Sequence, residues 1–503
     1  MTLTARLANA ASQFADQTAL SIRGDSFTYG KLDDSARRWA RHIVDQLGRP
    51  ARRIGIYGSR SLISYTGTFA ALYAGAAFVP LNPRFPAERT RRMIEFADLD
   101  FIIVDRLAQQ QLAAVLDGLK QQPHILTPDV LDTLTTAPRL EVLPEADSSS
   151  VAYLLFTSGS TGLPKGVPIT HANVRAYLDW AHSRYAFTLE DRFSQTFDQT
   201  FDLSVHDQFL CWESGASLFS LTPPELLAPS RFIQKNALTV WFSVPSIVAQ
   251  MRKRNSLLPD SFPLLRWSLF CGEPLSVAAA EAWQAAAPHS TVENLYGPTE
   301  LTIACAVHRW NPATSPALCR NGIVSIGAPF PGLDALLLDE HLQPLPAGQS
   351  GELAVSGPQT SPGYWQDLER TAAAFINLPQ GRFYRTGDRV DTLPNGEFSY
   401  LGRIDHQVKV LGFRVELGEI EAVLRRNPAV VAAVAMGWPV VDGSAQSIVA
   451  FAQGENLDVP ALLAAARASL SDYMVPATIH CVDNMPLNAN GKIDRAALLA
   501  TLS

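Results

Sequence analysis

No region of this chain concentrates charge of one sign. Its 41 Lys and Arg stand against 48 Asp and Glu, a formal net charge of -7 spread without long runs. That argues against nucleic acid or an acidic membrane surface as the main partner. Cysteine is scarce and unpatterned. Cys211, Cys271, Cys305, Cys319 and Cys481 show no C-x-x-C and no metal-ligand spacing, so the expected setting is reduced and cytoplasmic. Membrane-length apolar runs are missing too. The stretch from Ala70 to Pro80 is broken by Gly75 and Pro80 and reads as a core helix and strand, not a span. The N-terminus lacks the lysine-flanked apolar core of a signal peptide. Two nucleotide fingerprints are absent as well. There is no G-x-G-x-x-G. The nearest approach to a Walker A loop has Pro164 in place of the glycine before Lys165, and Gly166 where Ser or Thr should hold magnesium.

At 503 residues the chain is too long for one ordinary core, so two or more domains are expected. An apolar run from Val151 to Phe156 reads as a buried strand. It empties into Thr157, Ser158, Gly159, Ser160, Thr161, Gly162, Leu163, Pro164 and Lys165. Small residues let backbone approach a bulky anion, hydroxyl and N–H groups supply donors, and Lys165 supplies charge. A flexible surface loop is the plainer reading of such a run. The flanking strand and the Pro-Lys-Gly ending favour a phosphate grip.

Upstream, apolar periodicity alternates strand and helix. This predicts an α/β fold with a parallel or mixed sheet flanked by helices. Residues 121–150 are polar and rich in Pro, Asp and Ser, and read as a connecting region. Downstream, Asp202 sits among apolar residues, where a lone carboxylate is costly. It either caps a helix beginning at Leu203 or binds a cation. Apolar strands ending near Val244, Gly272 and Gly297 place polar groups at strand ends, where α/β proteins put their chemistry. From Gly322 the strands become short and alternating. After Gly402 to Gln407 the remaining chain has the size of a small domain.

Taken together these segments resemble the adenylate-forming superfamily, specifically the adenylation domains of nonribosomal peptide synthesis. The resemblance rests on the Thr157–Lys165 loop, Phe201 to Ser204, Asn294 to Glu300, Tyr384 to Asp388, Gly402 to Glu419, Asn488 to Lys492, and Leu72 to Pro83, all in the family's order. It implies a large N-terminal part of mixed sheets flanked by helices plus a β-barrel-like section, and a small mobile α+β C-terminal domain. The expected units are 1–404 and 405–503, with the hinge at Asp405. The implied chemistry has two steps. A carboxylate attacks the α-phosphate of ATP, and the acyl group then passes to the phosphopantetheine thiol of a separate carrier protein.

The resemblance also implies roles. Thr157 to Lys165 should hold the β- and γ-phosphates. Asn294 should contact adenine with Tyr296 beside it, and Thr299 should contact the α-phosphate. Glu300 should hold Mg²⁺, a hard cation suited to oxygen ligands. Asp388 should accept from the ribose hydroxyls, with Arg403 adjacent. Lys492 should bridge the substrate carboxylate and α-phosphate, and Lys409 should replace it in the second step. Leu411 departs from the family, which often has Arg there.

Asp202 matches the family residue that pairs with an α-ammonium, which favours an amino acid over a fatty or aryl acid. The matched lining is Asp202, Leu203, His206, Phe242, Leu269, Cys271, Leu295, Ile303, Ala304 and Lys492. This set is largely apolar and disfavours charged side chains. It looks similar to free-standing prolyl activators, with His206, Cys271 and Ala304 as departures. His206 would meet a substrate hydroxyl or amide, or else bond to backbone behind the pocket. The expected substrate is a small neutral amino acid, with L-proline first. A CoA ligase of a small acid is the rival. The chain ends soon after Lys492, which reads as a stand-alone enzyme of the cytoplasm.

Overall fold

The computed structural model describes residues 2–158, 164–346, 348–405, 407–441, 443–486 and 493–502. Gly159, Ser160, Thr161, Gly162 and Lys492 lie outside the described residues.

Two large sheets dominate the first part of the chain. A six-stranded sheet carries Arg53–Tyr57 and Phe101–Val104 side by side and parallel. All four residues of Phe101–Val104 are buried, the pattern of a parallel strand covered on both faces. Val151–Thr157 joins this sheet beside Ala77–Leu81. A nine-stranded sheet holds Val240–Ser243, Trp267–Phe270 and Thr291–Tyr296 as parallel neighbours. The helices Leu62–Tyr73 and Leu203–Glu213 lie between the sheets, where the Phe69 and Trp212 rings meet at 4.7 Å. Trp212 also donates its ring N–H to the Ala19 carbonyl at 3.2 Å, so a large buried surface keeps its one polar atom satisfied.

Residues 121–150 are more than a connection. His124–Leu126 pairs in parallel with Phe101–Val104 as the sheet's edge, followed by the helix Pro128–Thr133. Three strand residues are too few for their periodicity to register in a polar stretch. The β-barrel-like section is a five-stranded antiparallel sheet built from Asp334–Leu338 to Phe398–Arg403. Among the described residues its strands form an open, branched path and not a closed ring.

Beyond it, two small sheets use strands drawn only from residues after 406. The first contains the hairpin Gln407–Val410 and Phe413–Glu416. Leu411 and Gly412 form its turn, both with positive φ, +50° and +87°. That is the two-residue turn whose twist matches paired strands. The last elements of the chain are the strand Thr478–Val482 and the helix Arg495–Ala500.

Candidate active site

The phosphate-type loop joins two antiparallel strands, Val151–Thr157 and Lys165–Thr170, with Thr157 opposite Lys165. The lysine therefore belongs to a strand and its backbone is fixed. Its side chain is buried, with Nζ 3.3 Å from Glu300 Oε1 and 3.8 Å from Glu416 Oε1. Glu300 lies on the short helix Thr299–Leu301 and has no exposed surface. The Tyr364 hydroxyl donates to its Oε1 at 2.8 Å, and Arg414 Nη1 lies 3.1 Å from its Oε2. Burial alone would raise the Glu300 pKa, but Arg414 and Lys165, helped by Tyr364, hold it far below the usual carboxylate range. Thr157 Oγ1 is buried and has no hydrogen-bond partner among the described residues. The Ser158 hydroxyl donates to the Arg414 carbonyl at 2.8 Å and accepts from the Glu416 N–H at 3.2 Å.

A cleft opens beside this cluster, lined in part by Gly272, Glu273, Asn294, Tyr296, Tyr400 and Lys409. The Asn294 amide donates to the Ser325 carbonyl at 2.8 Å. Tyr296 donates its hydroxyl to Asp388 Oδ2. Arg403 Nη1 bonds Asp388 Oδ1 at 2.9 Å, and Arg403 Nε bonds Asp405 Oδ1 at 2.8 Å. Both Asp388 oxygens thus have protein partners in this seating. Lys409 reaches the cleft from the C-terminal hairpin and is half-buried. Burial lowers its pKa, while Asp388 and Cys271 draw it back up. A second cleft runs between Pro274, Tyr400 and Arg403 on one side and Lys409, Gly437 and Gly443 on the other.

Asp202 is buried and occupies the N-cap position of Leu203–Glu213, yet its side chain makes no cap bond. Oδ2 instead accepts from the Ile303 N–H at 3.1 Å. Ile303 is a β-branched residue held at φ +73°, a strained backbone that aims this donor. Among the described residues no cation pairs with Asp202. Burial pushes its pKa up to about 7 against the pull of the Ile303 N–H and the Thr299 hydroxyl. The capping alternative is thereby set aside.

Leu203 and His206 share the helix that begins after Asp202. Phe242, Leu269 and Leu295 sit on successive strands of the large sheet, and Cys271, Ile303 and Ala304 on the segments that follow those strands. All are buried. The His206 ring lies 4.5 Å from that of Phe242. Its Nδ1 bonds the Tyr177 hydroxyl at 2.6 Å, a side-chain partner and not backbone, and its Nε2 has no partner among the described residues. Burial lowers the His206 pKa to about 3 and raises that of the Cys271 thiol to about 12, so both are neutral near pH 7.

A family model described as AMP-binding enzyme matches residues 7–365, and one for the AMP-binding enzyme C-terminal domain matches 419–492. The chain belongs to the AMP-binding enzyme family. Among its relatives is a probable non-canonical nonribosomal peptide synthetase, CymA, of Salinispora arenicola. The two are 36% identical over 96% of this chain, which spans only 6% of that relative's length. The structure of the adenylation domain AlmE of Vibrio cholerae, in complex with glycyl-adenosine-5'-phosphate, superposes with a TM-score of 0.90. It is 32% identical, covering 99% of this chain and 97% of that one. A holo NRPS protein containing adenylation and PCP domains, bound to a vinylsulfonamide inhibitor, superposes with a TM-score of 0.83 at 27% identity. That match covers 99% of this chain and 84% of the other.

Sequence reasoning placed this AMP-binding enzyme's strand-end residues but passed over Tyr177, Tyr364, Arg414 and Glu416. The available signal was the Arg-x-Glu alternation of Arg414 and Glu416, which puts both side chains on one face of a strand. Among the described residues no group of three or more His, Cys, Asp or Glu could cage a metal, and no helix is long and apolar enough to cross a membrane.

Proposed function

We propose that this AMP-binding enzyme activates a small neutral amino acid with ATP, releasing pyrophosphate and forming the aminoacyl-AMP. It then transfers the aminoacyl group to the phosphopantetheine thiol of a carrier protein. One observation carries the reading: Asp202 is a buried carboxylate that does not cap its helix and has no cationic partner among the described residues. An α-ammonium supplies the missing charge, and a desolvated pair of this kind discriminates strongly against acids without an amine.

The neighbouring residues supply the rest of the chemistry. Lys165, with Thr157, Ser158 and the loop beyond, neutralises the departing phosphates. Asn294 and Tyr296 wall the adenine side of the cleft, and Asp388 with Arg403 faces the ribose. Thr299, whose hydroxyl bonds Asp202, would contact the α-phosphate. Glu300 suits Mg²⁺: with one buried carboxylate and, among the described residues, no protein cage, the ion would be completed by substrate phosphates, as this cation usually is. Bound there, Mg²⁺ would offset charge on the leaving pyrophosphate. Lys492 would steady the pentavalent α-phosphate in the first step. We place the boundary between the moving parts at Asp405, which clasps Arg403 and accepts from the Gln407 N–H at 3.1 Å. The second cleft, bounded by both parts and sharing Lys409, Tyr400 and Pro274 with the first, is the thiol's approach. The holo protein with adenylation and PCP domains supports a carrier as the acceptor.

L-Proline is the first candidate, since Leu203, Phe242, Leu269 and Leu295 offer a compact apolar wall. The unpartnered His206 Nε2 favours a second reading, a neutral amino acid whose side chain can accept a hydrogen bond. The test is ATP–pyrophosphate exchange with L-proline against cyclopentanecarboxylate, the same ring without its amine. Exchange with proline alone supports the reading. Equal exchange with both points to a ligase of small acids. Supplying CoA or a phosphopantetheinylated carrier then separates the two acceptors.

A further inference from the structure

The hairpin Gln407–Val410 and Phe413–Glu416 inserts two opposite charges among the groups assigned above to ATP. Arg414 Nη1 lies 3.1 Å from Glu300 Oε2, on the carboxylate suited to Mg²⁺. Glu416 Oε1 lies 3.8 Å from Lys165 Nζ, on the ammonium suited to phosphate. Between them Ser158 is used twice, donating to the Arg414 carbonyl at 2.8 Å and accepting from the Glu416 N–H at 3.2 Å. The hairpin therefore presents a cation where the metal would stand and an anion where a phosphate would stand, in the same order along the site.

We propose that Arg414 and Glu416 act as an internal surrogate of magnesium pyrophosphate, so that docking of the hairpin and retention of Mg²⁺–pyrophosphate exclude one another. This rests on the reading of Lys165 and Glu300 as the phosphate and metal groups. Glu300 and Lys165 are buried and meet each other at 3.3 Å through Glu300 Oε1; that one contact leaves Glu300 Oε2 and the outer side of the ammonium to be matched, which is costly in a desolvated site. When Mg²⁺–pyrophosphate leaves, the hairpin supplies a partner to each, Arg414 to Oε2 and Glu416 to Lys165, while carrying Lys409 into the cleft. Product departure is thereby coupled to the seating for the second half-reaction. Arg414 and Glu416 are positioning residues in this scheme, acting through Glu300 and Lys165.

The experiment uses the full chain with inorganic pyrophosphate and Mg²⁺ as the probe, following amide hydrogen exchange of the peptide that contains Glu416 and binding by calorimetry. In the wild-type protein, Mg²⁺–pyrophosphate should raise exchange at Glu416, whose N–H is released from Ser158. Removing a competitor raises apparent affinity by the reciprocal of the open fraction, so Arg414→Met should bind the probe at least about two-fold more tightly. Arg414→Lys, which keeps the charge, should return affinity toward the wild type. Binding to wild type without any change at Glu416, or an Arg414→Met protein that binds no more tightly, overturns the proposal and leaves the ATP-site reading standing. No binding to either protein overturns both. If Arg414→Met does not fold, the wild-type exchange measurement decides alone.

Discussion

Arg414 Nη1 stands 3.1 Å from Glu300 Oε2, which ties a hairpin of the C-terminal domain to the short helix after Pro298. A guanidinium on a buried carboxylate is a strong, desolvated contact. It fixes which face of the small domain meets the cleft: the face that bears Lys409. Arg89 and Glu419 add a second buried pair across the same division. We read the seating described, with Lys409 lining the cleft, as the one suited to the second half-reaction proposed above.

Asp202→Asn tests the amine contact. Hydrogen bonds to charged groups contribute about 1.5–3 kcal/mol, so the amino acid KM should rise roughly 10- to 100-fold. Burial raises the Asp202 pKa to about 7, and an ammonium needs the carboxylate charged. The wild-type KM should therefore climb as pH falls below about 7, approaching about ten-fold per unit, and the Asn variant should lose that slope. The linked stability has the opposite sign. A carboxyl whose folded pKa is raised stabilises the free protein below the unfolded value, and this is lost as pH rises toward about 7. Thermal melts from pH 4 upward should show less of this decline in the variant.

Gly412→Ala tests the docking of the hairpin tip. Gly412 has φ +87°, and a Cβ there would lie 2.5 Å from Val244 Cγ1. Strain and clash together should slow thioester formation by about ten-fold or more while leaving ATP–pyrophosphate exchange within about two-fold. Single-turnover assays of each half-reaction measure the split.

Asp405→Pro tests the hinge. Proline fixes φ and removes the side chain that clasps Arg403 and accepts from Gln407. Thioester formation should fall further than exchange. An equal loss in both would place the pivot elsewhere.

Lys492→Ala tests the first step by itself. Losing a positioned cation opposite a developing phosphate charge should cost about 100-fold or more in adenylate formation. Transfer from a supplied aminoacyl-AMP should persist, since Lys409 occupies the cleft in that seating.

Much of this was legible in the sequence because it is local. The run Val151 to Phe156 is apolar enough to be read as a strand, and the structure has one there, Val151–Thr157. The Asp202 dilemma was not soluble there. A capping aspartate and a ligand aspartate look alike before Leu203-Ser204, and only the Ile303 N–H across 101 residues of chain separates them. The Arg414 contact was equally hidden, since Ser158 and Arg414 meet over a separation of 256 residues. The edge strand His124–Leu126 was lost to its polar surroundings, because its role comes from pairing with Phe101–Val104 and not from its own composition.

The most direct measurement of the central claim is ATP–pyrophosphate exchange across a panel of amino acids at pH 8, where Asp202 is charged. Exchange is expected with small neutral amino acids, L-proline foremost, none with acidic or basic ones, and an amino acid KM about ten-fold or more higher in Asp202→Asn. If no small neutral amino acid exceeds the blank, or Asp202→Asn exchanges as well as the wild type, the account is contradicted.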